Sequence, residues 1–177
     1  MKRTAFVFIL IVLIFSLSSC VLSNILTYPG SDDKLMRECA DQLFNAVKSN
    51  DRENVKSSFS PNVNIDDDSV DRLLSYIQGS VISWKEDDSP VCYDSSGEHG
   101  RIKELIFWYG LTTDKEEYMV YFYDVPVDTS GDDNKGIHSL MIIRKDEESK
   151  LTGNIDDWAK TPGITIPFYD FGTISTK

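Results

Sequence analysis

The sequence is short of the groups that most enzymes use for chemistry. It has no G-x-S-x-G nucleophile elbow, no H-E-x-x-H pair and no glycine-rich phosphate loop. It has only two histidines and three cysteines in 177 residues. Two cysteines without neighbouring histidines make a poor zinc site. Basic residues are also scarce, with 18 Lys and Arg against 29 Asp and Glu. Such a surface repels phosphate backbones, which argues against nucleic acid as a partner. No apolar run reaches the roughly 20 residues that a bilayer-crossing helix needs.

The apolar run that is present lies at the start. Met1-Lys2-Arg3 is followed by Ala5 through Phe15, uninterrupted by charge, and then by Ser16-Leu17-Ser18-Ser19-Cys20. A charged opening, a short apolar stretch and small residues before a break form a secretory signal. Leu17-Ser18-Ser19-Cys20 resembles a bacterial lipobox. The resemblance implies diacylglycerol on the Cys20 thiol and cleavage that leaves Cys20 as residue one. The expected organisation is a lipoprotein signal peptide over 1–19, a linker over 20–31, one domain over 32–170 and a flexible tail over 171–177. Without Lys2 and Arg3, 16 basic residues face 29 acidic ones, a net charge of about −13. Anionic lipid would repel such a domain. The expected location is the outer face of the bacterial cytoplasmic membrane, with the membrane itself as the partner of Cys20. Cys39 and Cys92 then remain, either as a disulfide or as two free thiols.

Beyond the linker the pattern is helical, then extended. Leu35, Met36, Cys39, Leu43, Phe44, Ala46 and Val47 recur at three and four residues, which predicts a helix over about 32–49. Ser31 is its candidate N-cap. Asn50 with Glu53 reads as a capping box for a short helix over about 51–59. Asp66-Asp67-Asp68 opens a third, about 68–78, with Gly79 as its stop. The period then becomes two. Strands are expected at 80–86, with Val91-Cys92-Tyr93 resuming after a break, and at 101–112, 116–127 and 137–145. Ser95 through Gly100 reads as a turn, 146–150 as a solvated turn, and 151–177, with its short apolar piece Ile164-Thr165-Ile166-Pro167, as loop plus one short strand. Along the two long strands Leu105, Phe107 and Tyr109 oppose Ile106 and Trp108. Likewise Tyr118, Val120 and Phe122 oppose Met119, Tyr121 and Tyr123. Three helices followed by an antiparallel meander give an α+β fold, with N-terminal helices packed on a curved antiparallel sheet.

That element order is the one found in the cystatin-like, nuclear-transport-factor-two-like cone. More specifically, Asp33–Phe44, Asn50–Phe59, Ile77–Trp84, Trp108–Tyr118, Val127-Asp128-Thr129 and Gly163–Pro167 resemble an uncharacterised family of bacterial lipoproteins. The family is defined by a domain of unknown function with that cone fold, and the resemblance spans most of 32–168. It implies a fold and a lipid anchor, and no activity.

In a cone, the pocket between the first helix and the concave sheet is where isomerases and dehydratases place a base of shifted pKa. The weak catalytic candidates are Asp124, on a face with Val120 and Phe122, and His138, which alternates with Leu140 and Ile142. Asp124 reads alternatively as a strand-end residue reaching solvent beside Pro126. His99 sits in a glycine-flanked turn. Trp84, Trp108, Tyr109, Tyr121 and Tyr123 are candidate pocket-lining aromatics, or plain core. Asp66–Asp68 and Asp128–Asp133 lack the register of a calcium loop. No metal site and no cofactor is expected. The leading functional reading is a non-catalytic binding domain for an envelope protein or peptide. The alternatives are a small-pocket enzyme built on Asp124 or His138, and an immunity or accessory protein with one protein partner. A homodimer through a sheet edge is a further possibility.

Overall fold

The computed structural model describes residues 32–63, 65–87, 90–98, 100–150 and 163–166. The expected signal peptide, the expected linker, Ser31, His99 and the expected tail lie outside these residues. Among the described residues, no helix is long and apolar enough to cross a membrane.

Helix α1, Asp32–Ser49, carries acids in its first turn and Lys48 in its last, both favourable to the helix dipole. Its stripe of Met36, Ala40, Leu43, Phe44 and Val47 is buried. At its end Asn50 adopts a left-handed φ of 56°. The Asn50 N–H donates to the Val47 carbonyl at 3.0 Å and the Asp51 N–H to that of Ala46 at 2.9 Å, a Schellman closure. Asn50 therefore ends α1 instead of capping α2. The cap of α2, Arg52–Ser57, is Asp51, whose carboxylate accepts from the Asn54 N–H at 3.1 Å. Asparagine tolerates the left-handed region, so the cap moves one residue along. Helix α3, Asp67–Tyr76, is capped by Asp66, which accepts from the Ser69 N–H at 2.8 Å.

Six strands form one antiparallel sheet: β1 (Val81–Glu86), β2 (Val91–Gly97), β3 (Gly100–Thr113), β4 (Glu117–Asp128), β5 (Gly136–Arg144) and β6 (Ile164–Ile166). The order is β1-β3-β4-β5-β6, and β2 also pairs with β3. β1 and β2 sit end to end along one side of β3, paired with 109–113 and 100–106 respectively. β2 runs on through Ser95 and Ser96 to Gly97 opposite Gly100, where the sequence reads as a turn. The ladder offered by β3 outweighs the weak local preference of Ser-Ser-Gly. Residues 146–150, expected as a turn, lie in a 3-10 helix over Lys145–Lys150.

The core fills the helix-facing side of the sheet. Leu105, Phe107, Tyr109 and Leu111 of β3, Tyr118, Val120 and Phe122 of β4, and Ile137, Leu140 and Ile142 of β5 cluster with Met36, Leu43, Phe44, Val55, Val70 and Leu73. Phe44 is central, its ring centroid 5.5 Å from Trp84, 6.2 Å from Tyr109 and 5.7 Å from Phe122. Such tilted and edge-on pairs each add roughly 0.5–1.5 kcal/mol beyond burial.

Polar ties fix the helices to this sheet. The Tyr118 hydroxyl accepts from the Gln78 N–H at 2.8 Å and donates to the Tyr76 carbonyl at 3.2 Å, holding the end of α3. Lys103 of β3, itself buried, is ion-paired with Asp32 at the start of α1. After α2, Phe59 bridges Ile137 in parallel. Gly136 at φ +114° permits this approach, because a Cβ there would lie 2.9 Å from the Ser60 nitrogen.

Candidate functional site

The period of two along each strand divides the five candidate aromatics between the sheet's faces. Trp84 and Tyr109 lie with the helices, packed against Phe44. Trp108, Tyr121 and Tyr123 lie on the other face, where the Trp108 and Tyr121 rings meet at 5.1 Å and the Tyr123 hydroxyl donates to Glu104 at 2.8 Å. They do not line one pocket. Burial raises the Tyr121 and Tyr123 hydroxyl pKa values far above the ordinary range, so both remain neutral phenols.

Asp124 and His138 are separated in the same way. His138 is buried beside Tyr123, 5.7 Å between ring centroids, and its Nε2 faces the Asn134 carbonyl at 2.7 Å. A carbonyl only accepts, so that nitrogen carries a proton. A register shift between Tyr123 and Asp124 leaves His138 bulged out of the ladder. Asp124 points to the helix side, in register with Leu105 and Ile137, and is only 3 % exposed. It is thus a buried carboxyl and not the strand-end group reaching solvent beside Pro126. Burial pushes its pKa up to about 7, against the pull of hydrogen bonds from the Cys39 thiol and the Val125 N–H. In turn burial and the Asp124 charge raise Cys39 well above a free thiol. A thiol held protonated is a weak nucleophile. Cys39 and the exposed Cys92 are both free, so the disulfide alternative is not formed.

The acidic loop after β4 is organised internally. The Asp128 carboxylate accepts from the Ser130 N–H and hydroxyl and from the Asn134 amide, at 2.8, 2.5 and 3.0 Å. Among the described residues, no cluster of three or more His, Cys, Asp or Glu side chains is arranged to hold a metal ion.

What the fold does assemble is a cleft of about 350 Å³ where α1 crosses the β1–β3 edge. Arg37 and Asp41 of α1, Trp84, Lys85 and Glu86 of β1, and Tyr109 of β3 line it. The volume is at the lower end for small-molecule sites. Arg37 and Asp41 are one helical turn apart, on the flank of the buried stripe. Trp84 and Glu86 share a face of β1 by alternation. The Trp84 indole N–H donates to Asp41 at 2.7 Å, which fixes the ring as a wall. Tyr109 is 3 % exposed, and its hydroxyl makes no hydrogen bond among the described residues. No fully buried side-chain oxygen or nitrogen among them lacks a partner, so this hydroxyl opens into the cleft. Burial first, and the Glu86 charge second, push its pKa up to about 12, while Arg37 pulls it down. It enters the cleft as a neutral donor and acceptor.

Of these groups the sequence marked Trp84 and Tyr109. Arg37, Asp41 and Glu86 went unmarked. Their signal was weak but present: a charged pair at i and i+4 beside the apolar stripe, and an acid two residues past a strand tryptophan. Asp124 lines neither this cleft nor the larger groove of about 620 Å³ beside α2.

A family model described as a domain of unknown function, DUF5104, matches residues 42–145. The chain belongs to this family. The DUF5104 match runs from within α1 to the end of β5 and takes in Trp84, Glu86, Tyr109, Asp124 and His138. Arg37, Cys39 and Asp41 precede it. No curated protein matches the chain.

Proposed function

We propose that this protein is an exported lipoprotein, held through Cys20 to the outer face of the bacterial cytoplasmic membrane. Its domain binds a ligand in the cleft between α1 and the β1–β3 edge without transforming it. The helices on one face of an antiparallel sheet support reading that domain as a cystatin-like cone with the cleft beneath its first helix. The observation that carries the binding reading is the Tyr109 hydroxyl, on a side chain otherwise buried, opening into the cleft with no hydrogen-bond partner among the described residues. An unsatisfied polar group at a cavity wall costs about 1–3 kcal/mol if water is expelled, and a ligand that bonds to it recovers that loss.

Two measurements test this. Labelling with radioactive palmitate is expected to mark the wild type and not Cys20→Ala; label on the variant refutes the anchor. Low-molecular-weight material extracted from the envelope is expected to raise the Tm of the wild type and not of Tyr109→Phe. No rise with the wild type refutes the binding reading.

One observation favours a second reading, a small-pocket enzyme of the isomerase or dehydratase kind. Asp124, held near pH 7, has the basicity a general base needs. Its cover by Cys39 and its place outside the cleft weigh against it, and it no longer has His138 as a companion.

A further inference from the structure

Four charged side chains line the cleft, Arg37 and Lys85 against Asp41 and Glu86, and Arg37 and Glu86 do not meet. Among the described residues, neither Arg37 nor Glu86 forms an ion pair or a hydrogen bond, and both lie in the cleft lining. Arg37 reaches the cleft from α1 and Glu86 from β1, and both lie close enough to act on the Tyr109 hydroxyl. Asp41 is engaged by the Trp84 indole. The floor is aromatic: Trp84 and Tyr109 are backed by Phe44. A cation and an anion on different elements, with a neutral hydroxyl in the same cleft and an apolar floor, complement a dipolar molecule with an apolar part. The lining sets Asp41 and Glu86 against Arg37 and Lys85, a balance that suits a ligand of no net charge over phosphates and dicarboxylates. The guanidinium weighs against simple cations.

We infer that the cleft takes a free α-amino acid with an apolar side chain. Its carboxylate lies on the Arg37 guanidinium, its ammonium on the Glu86 carboxylate, and its side chain on the Trp84 ring. The Tyr109 hydroxyl bonds to the ligand between the two charges. A planar guanidinium suits a carboxylate, which it can hold in two parallel bonds. This rests on the binding reading of the cleft and gives it a chemical class. A cleft of about 350 Å³ has room for one such molecule and not for an extended peptide.

The test is isothermal titration calorimetry on the purified full chain in detergent. Apolar L-amino acids are titrated first, then the N-acetyl and amide derivatives of the tightest binder. Losing either charge is expected to weaken binding at least roughly tenfold, the scale of one charge-assisted hydrogen bond. Arg37→Gln is expected to erase the preference over the amide and leave that over the N-acetyl form. Glu86→Gln is expected to do the reverse. Equal affinity for the amino acid and both derivatives overturns the inference, and so does failure of every apolar amino acid to bind. If none binds while the envelope extract still raises Tm through Tyr109, the zwitterion falls and the binding cleft stands. If neither has an effect, both fall.

Discussion

Replacing Asp124 by Asn tests whether a carboxyl is buried against its own charge. In the folded chain its pKa is about 7; unfolded, it returns to the ordinary value of 3.8. The folded state therefore holds a proton that the unfolded state has released between about pH 4 and pH 7. Stability falls with rising pH wherever the folded state binds more protons. The favourable contribution is complete below about pH 4 and is lost as pH rises through 7. Between pH 5 and pH 8 that loss integrates to about 2.5 kcal/mol. Asparagine keeps the shape and carries no charge, so the variant lacks this slope. Any fixed cost of the new amide next to the Cys39 thiol cancels when the two pH values are compared. Urea unfolding of the wild type and Asp124→Asn at pH 5 and pH 8 reads the effect directly. The variant is expected to gain about 2.5 kcal/mol on the wild type from the lower to the higher pH. A stability difference that does not change with pH would refute the buried, charge-averse carboxyl.

Other perturbations probe the frame. Phe44→Ala removes the ring that touches Trp84, Tyr109 and Phe122, and is expected to cost about 3–5 kcal/mol in urea unfolding. A cost below about 1 kcal/mol would mean that the site collapses freely. Gly136→Ala places a Cβ against the Ser60 nitrogen at a φ that side chains resist, and is expected to cost about 1–3 kcal/mol. Unchanged stability there would show that the junction of the α2 loop with β5 is pliable.

The sequence made the frame readable because one face of each element is buried. The stripe from Met36 to Val47 announced α1, and alternation from Leu105 to Phe122 announced which residues share a face. It was less informative where local preference competes with tertiary bonding. Ser95-Ser96-Gly97 reads as a turn in isolation, yet β3 offers it a ladder. Asn50 reads as a cap, yet its tolerance of positive φ makes it a terminator. For the site, composition pointed to the aromatics but not to their partition, which follows from strand parity. The charged half of the cleft was hidden because Arg37, Asp41 and Glu86 resemble ordinary solvated residues until α1 is laid across β1. Only tertiary packing brings an i, i+4 pair on a helix to a strand some 45 residues away.

The end-to-end seating of β1 and β2 on β3 has a consequence for how this protein meets its own kind. The outer margin of the sheet displays Ile82, Val91 and Tyr93, the large exposed apolar side chains among the described residues. A long unbroken margin of that composition would template the addition of foreign strands. Here the margin is cut into pieces of six and seven residues, with Asp87 and Pro90 between them. Charge and proline at the midpoint deny a continuous run of hydrogen bonds to an incoming strand. The arrangement leaves greasy residues in the open and still works against edge-to-edge pairing.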